Sequence, residues 1–318
     1  MIDIALAIPV FIVGIILLWK GSDILVEGTS KTAAKLGISS LIISLIIVAF
    51  GTSAPEFAIS VGAAFQSRAG ISLGNIIGSC VANILLVLGL SAIIRPINIK
   101  KSIMGREMPI LVGATIVLFF FSFFGLLDAP YHIASGVIFL ILFATFVVYF
   151  LHCAKKERSN SKEYKKGTTQ KNILFIILGI VGVVVGAWLL IESAVTIADF
   201  FNIPPFVIAV SMIAIGTSLP ELVVSVTAAH KGESDIAVGN VLGSNVFNIF
   251  LILGACALFI PLNATGSFYH LLFLMMATLI LFPVVHTGHV ISRKEGVFFL
   301  ALYSFFIWYI FFGYTLFI

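Results

Sequence analysis

The chain has 318 residues, is 60% hydrophobic and only 10% charged, and has a mean hydropathy of +1.19. A soluble domain carries about 25% charged residues, so 18 Lys+Arg and 14 Asp+Glu cannot coat a globule of 34.3 kDa. Soluble enzymes, secreted mini-scaffolds, disordered chains and collagens are excluded. What remains is a polytopic membrane protein with room for about ten crossings of ~20 residues each. Three cysteines (Cys80, Cys153, Cys256) have no metal-ligand spacing. The net charge of +4 is no nucleic-acid signal, because the basic residues lie between apolar runs. With Asp3 and no basic residue before the first run, the N-terminus reads as a retained helix rather than a signal peptide.

In chain order, apolar runs predict helices near 4–33, 39–65, 70–94, 107–127 and 131–152, then near 172–200, 204–229, 234–260, 268–286 and 295–316. The first and sixth are over-long, which predicts strong tilt or extension into the interface. Only 153–171 reads as a polar linker. It separates a five-helix unit at 1–152 from a second at 172–318. Placing this linker in the cytoplasm puts Lys31, Lys35, Arg95, Lys100, Lys101, Arg106, Lys231, Arg293 and Lys294 there too, and leaves only Arg68 in an outer loop. The expected fold is an all-α membrane protein of ten transmembrane helices with both termini outside, in the cell membrane.

The two units repeat each other without a gap. GTSAPE (51–56) matches GTSLPE (216–221) and GNIIGSCVAN (74–83) matches GNVLGSNVFN (239–248), both at an offset of 165 residues, and Glu27 matches Glu192. Equivalent helices lie five crossings apart, so they run in opposite directions. Inverted repeats of this kind place a substrate site at their interface near mid-membrane.

Pro55 and Pro220 have no N–H for the carbonyl four residues back, so each opens a turn inside an apolar run. Each opened turn is followed by a glutamate. A carboxylate at the bilayer centre costs at least ~2.5 kcal/mol, and no Lys or Arg accompanies Glu56 or Glu221. Two such acids are protonated or face a cation. With the hydroxyls of Thr52, Ser53, Thr217 and Ser218 and the freed carbonyls, the donor set is all oxygen, which suits hard cations such as Ca²⁺ and Na⁺. A kinked helix with a protonated Glu explains one copy of this pattern better than two. Asn75, Ser79 and Asn83 fall four apart on one helical stripe beside Gly74 and Gly78, and Asn240, Ser244 and Asn248 repeat it beside Gly239 and Gly243. Gly-x-x-x-Gly packing explains the glycines; it does not explain the repeated Asn and Ser.

GTSxPE plus GNxxGSxxxN, present twice in inverted units, resembles the alpha-repeats of the sodium/calcium exchanger family. The resemblance implies antiport of Na⁺ against Ca²⁺ by alternating access, with the first and sixth helices sliding against the other eight. It implies a central Ca²⁺ site from Glu56, Glu221 and the Thr52 and Thr217 carbonyls. It also implies flanking Na⁺ sites from Ala49, Thr52, Ser53, Glu56 and Ser79 and from Ala214, Thr217, Ser218, Glu221 and Ser244, with Asn83 and Asn248 completing the middle. Some relatives, potassium-dependent exchangers among them, have Asp in place of Asn248, so Asn here argues against K⁺ dependence. The cluster's formal charge of −2 is neutralised by one Ca²⁺ or two Na⁺. The family's three Na⁺ per Ca²⁺ would then move net charge.

The alternatives are H⁺/Ca²⁺ exchange through the same glutamates, a passive cation channel and, least favoured, an intramembrane enzyme, for which no His lies at motif depth. Expected partners are the two ions and the lipid bilayer, with no cofactor and no nucleic acid; a monomer is compatible with the plan. Asp23, Glu27 and Glu192 read as interfacial rather than as part of an ion path. Cys80, at the position matching Asn245, reads as packing, and His230, His286 and His289 as loop residues.

Overall fold

The computed structural model describes residues 4–160, 169–200, 216–262, 264–286 and 288–312. They are nearly all helical: α1 (Ile4–Leu36), α2 (Ser40–Thr52), α3 (Ala54–Phe65), α4 (Ala69–Ile94), α5 (Lys101–Phe123), α6 (His132–Asn160), α7 (Thr169–Phe200), α8 (Leu219–Lys231), α9 (Ser234–Phe259), α10 (Phe268–His286) and α11 (Arg293–Phe312). Among the described residues, seven helices are long and apolar enough to cross a membrane, or eight if α2 and α3 form one bent span. Much of the predicted run at 204–229 precedes α8 and lies outside the described residues, as does Ala214.

The linker expectation needs correction. α6 runs on to Asn160 and α7 begins at Thr169, so most of 153–171 is helix rather than loop. Lys, Glu and Arg are good helix formers once an apolar segment has nucleated the helix. The α6 end is also tied down: Ser39 N–H donates to Glu157 Oε2 at 2.8 Å, and Arg106 Nη1 lies 3.8 Å from Glu157 Oε1.

α1 and α7, at 33 and 32 residues, are each about 50 Å long and lie antiparallel against each other. Glycines spaced seven apart set their approach. A Cβ on Gly14 would stand 2.8 Å from Leu190 N, one on Gly21 2.8 Å from Val183 N, and one on Gly28 2.9 Å from Phe175 Cβ. Small residues let membrane helices meet backbone to backbone. The outer faces of the pair carry Ile12, Ile16, Trp19, Ile177, Val181 and Trp188, all exposed, as suits lipid. α4 and α9 are buried over most of their length. Gly239 and Gly243 of α9 abut α2, with added Cβ atoms 2.8 Å from Leu41 O and 2.3 Å from Leu45 O. The repeat-related partner for Gly74 and Gly78 falls in 201–215, outside the described residues.

The end of the molecule near the linker gathers the basic residues. Lys231 Nζ pairs with Asp23 Oδ1 at 2.5 Å, Lys100 Nζ with Asp235 Oδ2 at 2.5 Å, and Arg95 Nη1 donates to His230 O at 3.3 Å. A two-stranded antiparallel ladder, β1 (Ile97–Asn98) with β2 (Val290–Ile291), ties the loop after α4 to the loop before α11.

Candidate functional site

The run predicted at 39–65 is broken at Ser53 (φ −81°, ψ 9°), where α2 and α3 meet at a bend of 48°. Pro55 follows in the first turn of α3, so the ring that opens the turn behind it also starts the next helix. Ser218 (φ −84°, ψ 5°) repeats this geometry ahead of Pro220 and α8. Glu56 and Glu221 thus lie in the first turn of a half-helix, where the dipole favours negative charge. Both side chains are fully buried.

α4 and α9 hold these breaks open in matching ways. Asn75 Nδ2 donates to Ser60 Oγ at 2.9 Å and to Glu56 O at 3.4 Å; Asn240 Nδ2 donates to Ser225 Oγ at 3.0 Å and to Glu221 O at 3.3 Å. Crossing between the units, Thr52 Oγ1 donates to Asn240 Oδ1 at 3.1 Å and Thr217 Oγ1 to Asn75 Oδ1 at 3.4 Å. The single Thr52 proton is shared with Ala49 O, 3.3 Å away, which already accepts the Ser53 N–H at 3.0 Å.

Around the carboxylates, Ser53 Oγ donates to Glu221 Oε1 at 2.9 Å and Ser244 Oγ to the same oxygen at 3.4 Å. Ser79 and Thr217 stand beside Glu56, with their hydroxyls 3.2 Å apart, and Glu56 lies within electrostatic reach of Glu221. At Asn83–Val87 and Phe247–Ile252, α4 and α9 each widen into a π-helical turn, a feature common at functional sites. These turns carry Asn83 and Asn248. Glu56, Glu221, Thr52, Thr217, Ser53, Ser218, Ser79, Ser244, Asn83, Asn248 and Ala49 are all buried.

Among the described residues, several buried oxygens here have no hydrogen-bond donor: both of Glu56, Oε2 of Glu221, Oδ1 of Asn83 and Oδ1 of Asn248. Buried acceptors left unpaired are costly, and a positive ion is the kind of partner that such oxygens accept. Among the described residues, no three His, Cys, Asp or Glu side chains cluster, so the donor set is two carboxylates plus amide, hydroxyl and carbonyl oxygens. That is hard-cation chemistry.

A cavity of about 650 Å³ reaches this cluster from the end opposite the linker, with Asn75 and Thr217 in its lining. Its walls are Pro55, Ile59, Ile71, Val184, Trp188 and Ile191, and its one charged residue among those described is Glu192. Glu192 is thus beside the approach to the cluster, where the sequence suggested only an interfacial role. Its repeat partner Glu27 pairs with Lys31 one turn along α1. Sequence reasoning also left Ser60, Ser225 and Asn245 without a role. The signal for the two serines was available, since they match each other at the same repeat offset.

The family model for the sodium/calcium exchanger protein matches residues 6–152 and 171–312. The chain belongs to this family. A sodium/calcium exchanger of Methanosarcina acetivorans is 32% identical over 92% of this chain and 95% of its own length. A putative antiporter of Alkalimonas amylolytica is 37% identical over 90% and 92%. The solved structure of a sodium/calcium exchanger from Methanococcus jannaschii superposes with a TM-score of 0.85 at 34% identity, covering 96% of this chain and 98% of that one. As a family member the chain is a membrane antiporter of sodium and calcium transport, and its long apolar helices suit that setting.

Proposed function

We propose that the protein exchanges Na⁺ for Ca²⁺ by alternating access, electrogenically and without K⁺, and that Glu56 and Glu221 are the shared ligands at its centre. Thr52, Ser53, Ser79 and Asn83 from one unit, and Thr217, Ser218, Ser244 and Asn248 from the other, complete the ion sites. The Ala49 carbonyl serves when the Thr52 proton turns to Asn240, and Ala214 is its repeat counterpart. The architecture is two inverted five-helix repeats, 1–152 and 172–318, joined by a basic cytoplasmic connection, with both termini outside.

The observation that carries this reading is the buried group of donor-less oxygens around two carboxylates. One Ca²⁺ cancels the formal charge of the two glutamates, and so do two Na⁺; loading by one ion therefore excludes the other. A third Na⁺ makes the exchange sensitive to voltage. The hydroxyls close to both glutamates favour Na⁺ over H⁺ as the counter-ion, since a proton needs no oxygen cage. Asn at 248 supports independence from K⁺.

The test is ⁴⁵Ca²⁺ uptake by Na⁺-loaded proteoliposomes, with and without an imposed membrane potential. Uptake that needs internal Na⁺, ignores K⁺ and rises when the interior is made positive supports the reading. Uptake driven by a pH gradient and indifferent to Na⁺ replaces it with H⁺/Ca²⁺ exchange. Flux with no counter-ion requirement replaces it with a pore.

A further inference from the structure

Within the two repeated motifs, one polar position has no match: Cys80 in α4 and Asn245 in α9 correspond, yet differ in chemistry. Asn245 is fully buried. Its Nδ2 donates to the backbone carbonyl of Cys80 at 3.3 Å, and its Oδ1 accepts from Asn83 Nδ2 at 3.0 Å. Both ends of the Asn245 amide are therefore used on α4.

This chain of bonds has a direction. A backbone carbonyl only accepts, so Asn245 has to present its nitrogen to Cys80 and its oxygen to Asn83. Asn83 has to answer with its nitrogen, which turns its oxygen the other way. Flipping either amide would set two acceptors face to face. The Asn83 oxygen so turned is buried without a donor among the described residues, as are both oxygens of Glu56. In the other unit the matching position holds the Cys80 thiol, which cannot both donate to a carbonyl and accept from an amide with comparable strength. The thiol takes the mirrored contacts in weaker form: Cys80 Sγ donates to the Asn245 backbone carbonyl at 4.0 Å and lies against the Asn248 side chain.

We propose that Asn245 is a positioning residue that fixes the Asn83 side-chain oxygen as a ligand for the transported cation, leaving Asn248, which meets only the Cys80 thiol, the more weakly held amide of the pair. The inference rests on the exchange reading above and deepens it. One firmly held and one weakly held amide make the two halves of the site more unequal still, beyond the difference between Glu221, which accepts from Ser53 and Ser244, and Glu56.

The decisive variant is Asn245→Cys, which installs the residue that the repeat already uses at the corresponding place. In Na⁺-loaded proteoliposomes its KM for Ca²⁺ rises by about 10-fold, in the range for loss of a partner that orients a metal ligand, while kcat stays within about twofold. Asn83→Ala raises KM by a similar factor. Asn245→Cys added to Asn83→Ala raises it no further, because residues acting through one another are not additive. The exchange Cys80→Asn with Asn245→Cys moves the oriented amide to the Asn248 side and brings KM back towards wild type.

An unchanged KM in Asn245→Cys, or its full factor appearing again on the Asn83→Ala background, overturns the proposal. So does a fall in thermal stability with KM untouched, which assigns Asn245 to packing alone. Should Asn245→Cys fail to accumulate, Asn245→Ser is read instead, together with the Ca²⁺-induced rise in Tm of the solubilised protein. That rise shrinks under the proposal and is unaltered without it. Failure of the exchange reading is visible separately, as wild-type vesicles lacking Na⁺-dependent uptake, and it removes the inference too.

Discussion

The centre of the molecule and its linker end follow opposite rules. At the centre, the bonds of the two supporting asparagines come in repeat-related pairs of nearly equal length: Asn75 to Ser60 at 2.9 Å and Asn240 to Ser225 at 3.0 Å, or Asn75 to Glu56 O at 3.4 Å and Asn240 to Glu221 O at 3.3 Å. At the linker end the contacts have no possible counterpart. Ser22 Oγ lies 2.9 Å from Thr227 Oγ1, Lys231 pairs with Asp23, and Ser30 Oγ donates to Glu233 Oε1 at 2.7 Å. The residues offset by 165 are Ala187 with Gly62, Trp188 with Gln66, and Val195 with Arg68, and none of these pairs can make the same bonds. The asparagine supports at the centre keep the repeat symmetry, and the contacts at the linker end do not.

If the centre is symmetric in function, Glu56→Gln and Glu221→Gln fail together. Each loses exchange by more than the roughly 10–100-fold that removal of a ligand's orienting partner costs, while the protein remains monodisperse on gel filtration. Wild-type ⁴⁵Ca²⁺ flux in either one breaks the comparison at its root. A smaller effect is expected where α1 meets α7. A side chain at Gly179 starts 2.6 Å from Leu25 Cβ, so Gly179→Val forces the helices apart. Overpacking of this kind costs about 1–3 kcal/mol, read as a lowered Tm in detergent. The same separation displaces α1 from its linker-end contacts, and exchange slows as well.

These two variants differ in how far the sequence foretold them. The breaks at Ser53 and Ser218 were legible because proline acts on its own chain, four residues back, and the polar stripes because helical spacing is local. The glycines of α1 recur every seven residues, again a local signal. The hydrogen bond from Asn83 to Asn245 was not legible. It joins residues 162 apart through the facing of two helices that repeat alignment alone does not fix. The π-helical turns that aim Asn83 and Asn248 were equally hidden, since packing rather than propensity widens a helix. The charged stretch after Cys153 misled in the opposite sense, because polarity was taken for loop where good helix formers extend α6.

The contacts at the linker end make the mildest prediction and the one that sharpens the comparison most. Lys231 and Asp23 are both partly exposed, and such pairs contribute about 0–1 kcal/mol. Removing the Ser22–Thr227 bond as well, in Lys231→Gln with Thr227→Val, shifts the balance between the two access states by up to about fivefold. The far cavity offers the readout, since Ala187 lines it. With Cys153→Ser to silence the half-buried thiol, an Ala187→Cys reporter is labelled by a membrane-impermeant maleimide. Loosening the linker end gives the opposite state more time and slows that labelling. Labelling at an unchanged rate means that these two asymmetric contacts hold α1 in place without deciding which side is open. The asymmetry that sets access would then reside at the centre, where Cys80 faces Asn245 and the two glutamates have different hydroxyl partners.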